Sequence, residues 1–193
     1  MNAPPAMPPG RVYRTHELRE FTSNPSRWAR RLVAEGVLRQ PSHGLYYLPV
    51  PTTFGPSSPR TDELLRAFLG SDDFLITGPY FWNALNLGTT QMFAVTLVYN
   101  QGRTGIVKVA GHRYWFRRVR FPRPTPFEWY IVDLLHNEQH MGEDTSRLDE
   151  LLIRALRSGR FDADRLVELA REYAHPAERE RILAAVSASR QAA

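Results

Sequence analysis

Arg27, Arg30 and Arg31 crowd into one stretch, RTHELREFTSNPSRWARRLVAEG (residues 14–36). Guanidinium groups at this spacing are suited to gripping phosphates and guanine edges. At about 100° per residue, Trp28, Ala29, Leu32 and Val33 fall within an arc of about 140°. The three arginines project from the opposite side, with Ser26 beside them. A recognition helix needs this division, because the apolar stripe fixes its angle while the outer face carries donors to the groove. GVLRQPSHGLYYLP (residues 36–49) follows directly and reads as two short strands folded back through a Pro-Ser-His-Gly turn. Leu38, Leu45 and Tyr47 would face inward, leaving Arg39, Gln40, Ser42 and His43 near the tip, with Gly44 supplying the positive φ of the turn. The arginine face alone also suits any solvated helix. It is the order helix, short turn, helix, hairpin that points to a winged helix-turn-helix with DNA contacts at Ser26, Arg27, Arg30, Arg31, Arg39 and His43.

Three further constellations carry chemistry-bearing side chains. GHRYWFRRVRF (residues 111–121) interleaves Arg113, Arg117, Arg118 and Arg120 with aromatics. Strand alternation would put Arg118 and Arg120 on the side of Tyr114 and Phe116. Such a stripe could form a second basic surface, although a strand with aromatic core residues and basic edges has the same pattern. In HNEQH, His136 and His140 would share a helical face as zinc ligands do. The metalloprotease pattern requires Glu directly after the first His, where this chain has Asn137, so a polar helix end is expected and no metal or cofactor. TGPYFWNALNLGTT (residues 77–90) opens a helix but lacks the P-loop glycine spacing and its Lys-Ser/Thr. Phe81, Trp82 and Leu85 are expected to pack inward there. With no Ser/His/Asp order, no G-x-S-x-G elbow and no acidic residue placed before Lys108 as in a nuclease E-x-K, the chain is not expected to be an enzyme.

The elements that would hold these residues follow from punctuation and period. The first helix runs from Thr15 to about Phe21, and the second is opened by Asn24 with Pro25 at its first position. VPTTFGPSSPR (residues 50–60) has linker composition. A short helix from Thr61 stops at Gly70, a strand FLITG leads into a helix starting at Pro79 and ending at Gly88, and MFAVTLVYN and GIVKVAGHRYWFRRVRF read as strands. From Thr125 four amphipathic helical patterns follow, one of them between a Ser146/Asp149 start and a Gly159 stop.

Composition bounds the class. The 193 residues carry 42% apolar side chains and a net charge of +5, enough to bury a core. Residues 1–60 hold eight arginines against three acids, residues 61–125 eight basic against four acidic, and residues 126–193 nine basic against thirteen acidic. A basic front suits a polyanionic partner. Cysteine is absent, which excludes disulfides and thiolate metal sites. No stretch approaches the roughly 18 apolar residues of a membrane helix, and the N-terminus lacks an export signal, so the expectation is a cytoplasmic protein with no membrane partner.

The segment G-V-L-R-Q…H-G-L-Y-Y-L-P resembles the end of the N-terminal domain in the AbiEi family of antitoxins, where a helix-turn-helix runs into a G-x-[LI]-x-R…x-G-x-Y hairpin. LITGPYFWNALNLGTTQ (residues 75–91) and LVYNQGRTG (residues 97–105) are similar to the second domain of its shorter, DUF6088-like members. The likeness spans about Val12 to Asp133. It implies a sequence-specific DNA binder that represses its own operon through inverted repeats in double-stranded DNA and counteracts a co-encoded nucleotidyltransferase-like toxin, in the toxin-antitoxin and abortive-infection setting.

The expected fold is therefore α+β: a disordered leader at 1–11, a winged helix-turn-helix at 12–50, a linker at 51–60, a small α/β domain with a mixed sheet at 61–125, and a helical C-terminal region at 126–193. The alternative function is a non-enzymatic protein-binding module whose basic face docks an acidic partner. A nuclease or other metal-dependent enzyme is the third class.

Overall fold

The computed structural model describes residues 7–53, 55–87, 95–140 and 147–191. In chain order it contains β1 (Val12–Arg14), a 3-10 turn (Glu17–Glu20), α1 (Pro25–Ala34), β2 (Arg39–Ser42), β3 (Leu45–Tyr47), β4 (Pro51–Thr52), β5 (Gly55–Pro56), α2 (Thr61–Leu69) and β6 (Phe74–Thr77). Then come α3 (Pro79–Ala84), β7 (Thr96–Asn100), β8 (Gly105–Val109), β9 (His112–Arg117), α4 (Trp129–His136), a second 3-10 turn (Glu138–His140), α5 (Leu148–Arg157), α6 (Ala163–Tyr173) and α7 (Pro176–Gln191). The architecture is α+β. Strands form a three-stranded sheet β1-β3-β2, the small β4-β5 ribbon, and a four-stranded sheet β6-β7-β9-β8. No helix among the described residues is long and apolar enough to cross a membrane.

The chain divides into two compact units, Met1–Phe74 with Gly102–Tyr114, and Leu75–Gln101 with Trp115–Ala193. This differs from the boundaries read off the sequence. Within the first unit, β3 is the central strand, paired antiparallel with β1 through Val12↔Tyr47 and Arg14↔Leu45 and with β2 through Ser42↔Leu45. β3 buries all three of Leu45, Tyr46 and Tyr47 rather than alternating, because both faces of the strand are covered: Tyr46 packs in the core of Tyr13, Leu18 and Leu38, and Tyr47, on the other face, borders the same cavity as Leu64. Pro41 sits on the edge strand β2, where its missing N–H is tolerated and the register slips between Arg39 and Ser42. Residues 7–11 of the expected leader join this fold: Met7 is buried in the same core as Tyr13, Leu18, Ala29 and Leu38, and the Gly10 N–H donates to the Leu48 carbonyl at 2.8 Å; residues 1–6 lie outside the described residues. The expected linker contains the β4-β5 ribbon. The first helix of the sequence reading is a four-residue 3-10 turn with only Leu18 buried.

α2 was expected to open a separate domain, but Arg14 ties it to the N-terminal sheet. Its guanidinium donates from Nε to the Ala67 carbonyl at 2.5 Å and from Nη2 to the Phe68 carbonyl at 2.9 Å, satisfying carbonyls that a helix leaves unpaired at its C-terminus. Gly70 ends α2 at φ +71°, and a Cβ there would lie 2.5 Å from Arg14 Nη1. Arg14→Met is expected to lower the unfolding free energy by about 2 kcal/mol, the worth of hydrogen bonds from a charged donor. Gly70→Ala should cost more in the wild-type background than in Arg14→Met, where only the left-handed backbone strain of about 1–2 kcal/mol remains. Urea unfolding of the four proteins checks this, and additive effects would refute the coupling.

The second unit is built on α4, whose sequence WYIVDLLH is buried from Trp129 to Leu135, the mark of a helix surrounded by others. Trp82, Leu97, Ile131, Leu152, Leu166 and Ile182 meet in one core drawn from α3, β7 and α4–α7. Asp162 caps α6, accepting from the Asp164 and Arg165 N–H groups at 3.0 Å. Pro79 opens α3 as expected, with Trp82 and Leu85 buried and Phe81 half-buried. The Gly88 stop and the Ser146 start lie outside the described residues.

Candidate nucleic-acid interface

α1 is set up by its own sequence. Asn24 Oδ1 accepts the Arg27 N–H at 3.3 Å and Pro25 holds the first position. Ala29 and Leu32 are buried beneath the helix. Trp28 stacks on Phe21 with ring centroids 6.3 Å apart, and Phe21 meets Tyr13 edge-on at 5.5 Å. This aromatic run anchors the helix start to β1 and the 3-10 turn. Ser26, Arg27, Arg30 and Arg31 are all exposed. Arg30 Nε donates to the Ser26 carbonyl at 3.2 Å, and Arg31 approaches Glu35 at 3.7 Å with both side chains in solvent. Such exposed pairs contribute little and leave the guanidinium groups competent for an anion.

The β2–β3 hairpin follows within five residues of α1. Its turn is His43–Gly44 with Gly44 at φ +74°, and the Thr15 N–H donates to the Gly44 carbonyl at 2.9 Å, fastening the tip to the end of β1. Arg39 and His43 are exposed. On one side of β2 a cavity of about 550 Å³ is bordered by Arg39, Gln40, Tyr47, His112 and Tyr114, and no carboxylate lines it. Desolvation raises the Tyr47 and Tyr114 phenols above their ordinary value, opposed at Tyr47 by the Arg39 charge. The six residues expected to touch DNA thus all stand on the outer surfaces of two consecutive elements of the first unit.

The four arginines of the second basic surface read from the sequence lie on β9 and in the segment after it. β9 ends at Arg117, so alternation cannot carry Arg118 and Arg120 onto the Tyr114 and Phe116 face. Arg113 is exposed and belongs to the first unit, while Arg117, Arg118 and Arg120 belong to the second. Arg120 pairs with Glu172 at 3.8 Å and lies over the Tyr173 ring.

Arg117 is instead a member of a buried polar chain that sequence reasoning missed. Asp133 accepts from Thr77 Oγ1, from Trp82 Nε1 at 2.7 Å, from the Tyr99 hydroxyl at 2.5 Å and from Asn137 Nδ2 at 3.0 Å. Arg117 Nη1 donates to Asn137 Oδ1 at 2.5 Å, and its Nη2 lies 3.0 Å from His136 Nε2. Since arginine can only donate, Nε2 accepts and the His136 proton sits on Nδ1, facing Glu178 Oε1 at 3.2 Å. Glu178 Oε2 in turn accepts the His175 N–H at 2.9 Å, closing the first turn of α7. Burial and the Arg117 and His175 charges hold the His136 imidazole below its ordinary value against the pull of Glu178. α4 ends at His136 and His140 closes the 3-10 turn that follows, where it packs edge-on against Trp115. His136, His175 and Glu178 place ligand-type atoms within 4.8 Å of one another, but the His136 lone pair is engaged by Arg117 and its proton by Glu178. The sequence signal for the chain was one carboxylate inside an apolar run, with an amide four residues on.

No family model matches the chain, and no curated protein matches it. Among solved structures it is similar to the RV2827C protein from Mycobacterium tuberculosis, with a TM-score of 0.56 and 15% identity over 93% of this chain and 72% of that one. At this identity the likeness shows the fold, an α+β architecture that extends through nearly the whole chain.

Proposed function

We propose that the first unit is a winged helix-turn-helix, with α1 as recognition helix and the β2–β3 hairpin as wing, and that the chain is a sequence-specific DNA-binding repressor. The observation that carries this reading is the sidedness of α1. Its apolar stripe is packed against the N-terminal core while Ser26, Arg27, Arg30 and Arg31 stand in solvent, and a hairpin bearing exposed Arg39 and His43 follows at once. The preceding helix of a usual helix-turn-helix is reduced to the 3-10 turn at Glu17–Glu20; the aromatic stack on Trp28 supplies the support that a longer helix would give. The resemblance to AbiEi antitoxins extends the proposal to autoregulation and to a co-encoded nucleotidyltransferase-like toxin as protein partner.

The test is a footprint of the purified protein on the DNA upstream of its own reading frame. Protection of an inverted repeat is expected, with affinity falling steeply as salt rises, because each phosphate contact releases condensed counterions. Equal affinity for promoter and scrambled duplexes would overturn the sequence-specific reading. Failure to bind either would favour the alternative, a basic face that docks an acidic protein.

A further inference from the structure

The β8–β9 hairpin belongs to the first unit up to Tyr114, and the proposed function leaves it without a role. Its turn is two residues, Ala110 and Gly111, at φ +51° and +84°. Positive φ at both central positions is the type I′ pattern, whose two-residue loop sets Val109 across from His112 and Lys108 across from Arg113. Burial agrees with this register. Val109 and Tyr114 are buried on one face, while Lys108 and Arg113 are both exposed.

Two like charges directly across an antiparallel pair repel each other. Neither Lys108 nor Arg113 makes an ion pair among the described residues, and the sequence contains no carboxylate between Asp73 and Glu128. Lys108 is also the chain's only lysine. The turn itself places an alanine in the left-handed region, an unfavourable choice for any residue with a Cβ. A local arrangement that works against stability at several levels marks a surface kept for something else. The Ala110 N–H donates to the Pro41 carbonyl at 3.1 Å, so the turn is fastened to the wing strand, two residues beyond Arg39.

We infer that β8–β9 is a second DNA-contacting hairpin, in which Lys108 and Arg113 grip the sugar-phosphate backbone of the duplex beside the segment that the wing engages. The inference rests on the DNA-binding reading of the first unit. The contact is to backbone: cross-strand charges on the body of a hairpin neutralise phosphates and position the protein without reading sequence.

The experiment uses the full chain, with fluorescence anisotropy on the protected promoter duplex and on a scrambled duplex of equal length, across about 0.05–0.3 M salt. Lys108→Gln with Arg113→Gln is expected to weaken binding to both duplexes alike, by about tenfold at low salt, and to make the slope of log affinity against log salt shallower by about 2. Its Tm should equal or exceed that of the wild type, since the repulsion is gone. Wild-type affinity and slope in this variant, while the unaltered protein binds the promoter duplex, would overturn the inference and leave the recognition helix standing. If Arg27→Ala with Arg30→Ala binds normally and the hairpin variant does not, the inference stands and the recognition-helix assignment falls. An unaltered protein that binds neither duplex overturns both.

Discussion

Arg27→Ala combined with Arg30→Ala is expected to weaken binding to the promoter duplex about 100-fold and to erase most of the preference over a scrambled duplex. Each well-formed arginine contact to a guanine edge discriminates by about 1–3 kcal/mol, so the loss of two reaches that range without assuming an extreme value for either. The variant should fold as before. Arg27 contributes only its backbone N–H to the Asn24 cap, and Arg30 donates within its own helix to Ser26; alanine keeps the first, and its higher helix propensity offsets the second. An unchanged Tm with collapsed DNA affinity would place the loss in recognition. Promoter affinity within twofold of wild type in the double variant would remove α1 from the interface, whatever the protein binds.

Legibility followed the reach of each interaction. α1 could be read because its signals are local: an Asn24-Pro25 start and an apolar stripe at helical spacing over ten residues. The β2–β3 hairpin was legible for the same reason, since Gly44 marks its own turn. The burial of Tyr46 was not, because it depends on Met7, Tyr13 and Leu18, distant in sequence, packing over the face of β3 opposite Leu45 and Tyr47. Alternation describes a strand with one covered face and fails when a distant segment covers the other. The two compact units differ from the boundaries read off the sequence, because Arg14 bonds to carbonyls 53 and 54 residues away and the segment Gly102–Tyr114 returns to the first unit, contacts that no local pattern announces. The basic stripe from Arg113 to Arg120 failed because a period-2 reading was carried past the end of β9. The Asp133 chain was beyond reach for a related reason: its donors come from β6, α3, β7 and the C-cap of α4, and nothing in the spacing of Thr77, Trp82 and Tyr99 announces a common acceptor.

Asp133 carries the largest stability effect expected in the second unit. It is 1% exposed, and its donors Trp82, Tyr99 and Asn137 are at most 1% exposed. Asp133→Ala strands buried donors with no water to take them, and is expected to lower the unfolding free energy by about 3–5 kcal/mol. The wild-type carboxylate is itself under tension: burial raises its pKa from 3.8 to about 6, against the lowering by the Thr77, Tyr99 and Trp82 hydrogen bonds and the Arg117 charge. Between those two values the folded chain keeps a proton that the unfolded chain has lost. The contribution of Asp133 to stability is therefore full below pH 3.8 and declines as pH rises through about 6, reaching a deficit of about 3 kcal/mol at neutral pH. His136 works in the opposite direction, because its lowered pKa adds stability as pH rises, so the raw profile of the wild type mixes two limbs. Asp133→Asn separates them. It keeps an oxygen for Thr77 and Trp82 but turns an amide toward Asn137 Nδ2, a donor facing a donor, and should cost about 1–3 kcal/mol at low pH. The wild-type advantage over Asp133→Asn should shrink from pH 4 to pH 7 while the His136 limb cancels in the difference. Urea unfolding of both proteins at matched pH measures it. A difference that stays flat would mean that Asp133 is ionised throughout, with the four hydrogen bonds and Arg117 outweighing burial, and its site would then be an anion hole rather than a strained carboxylate.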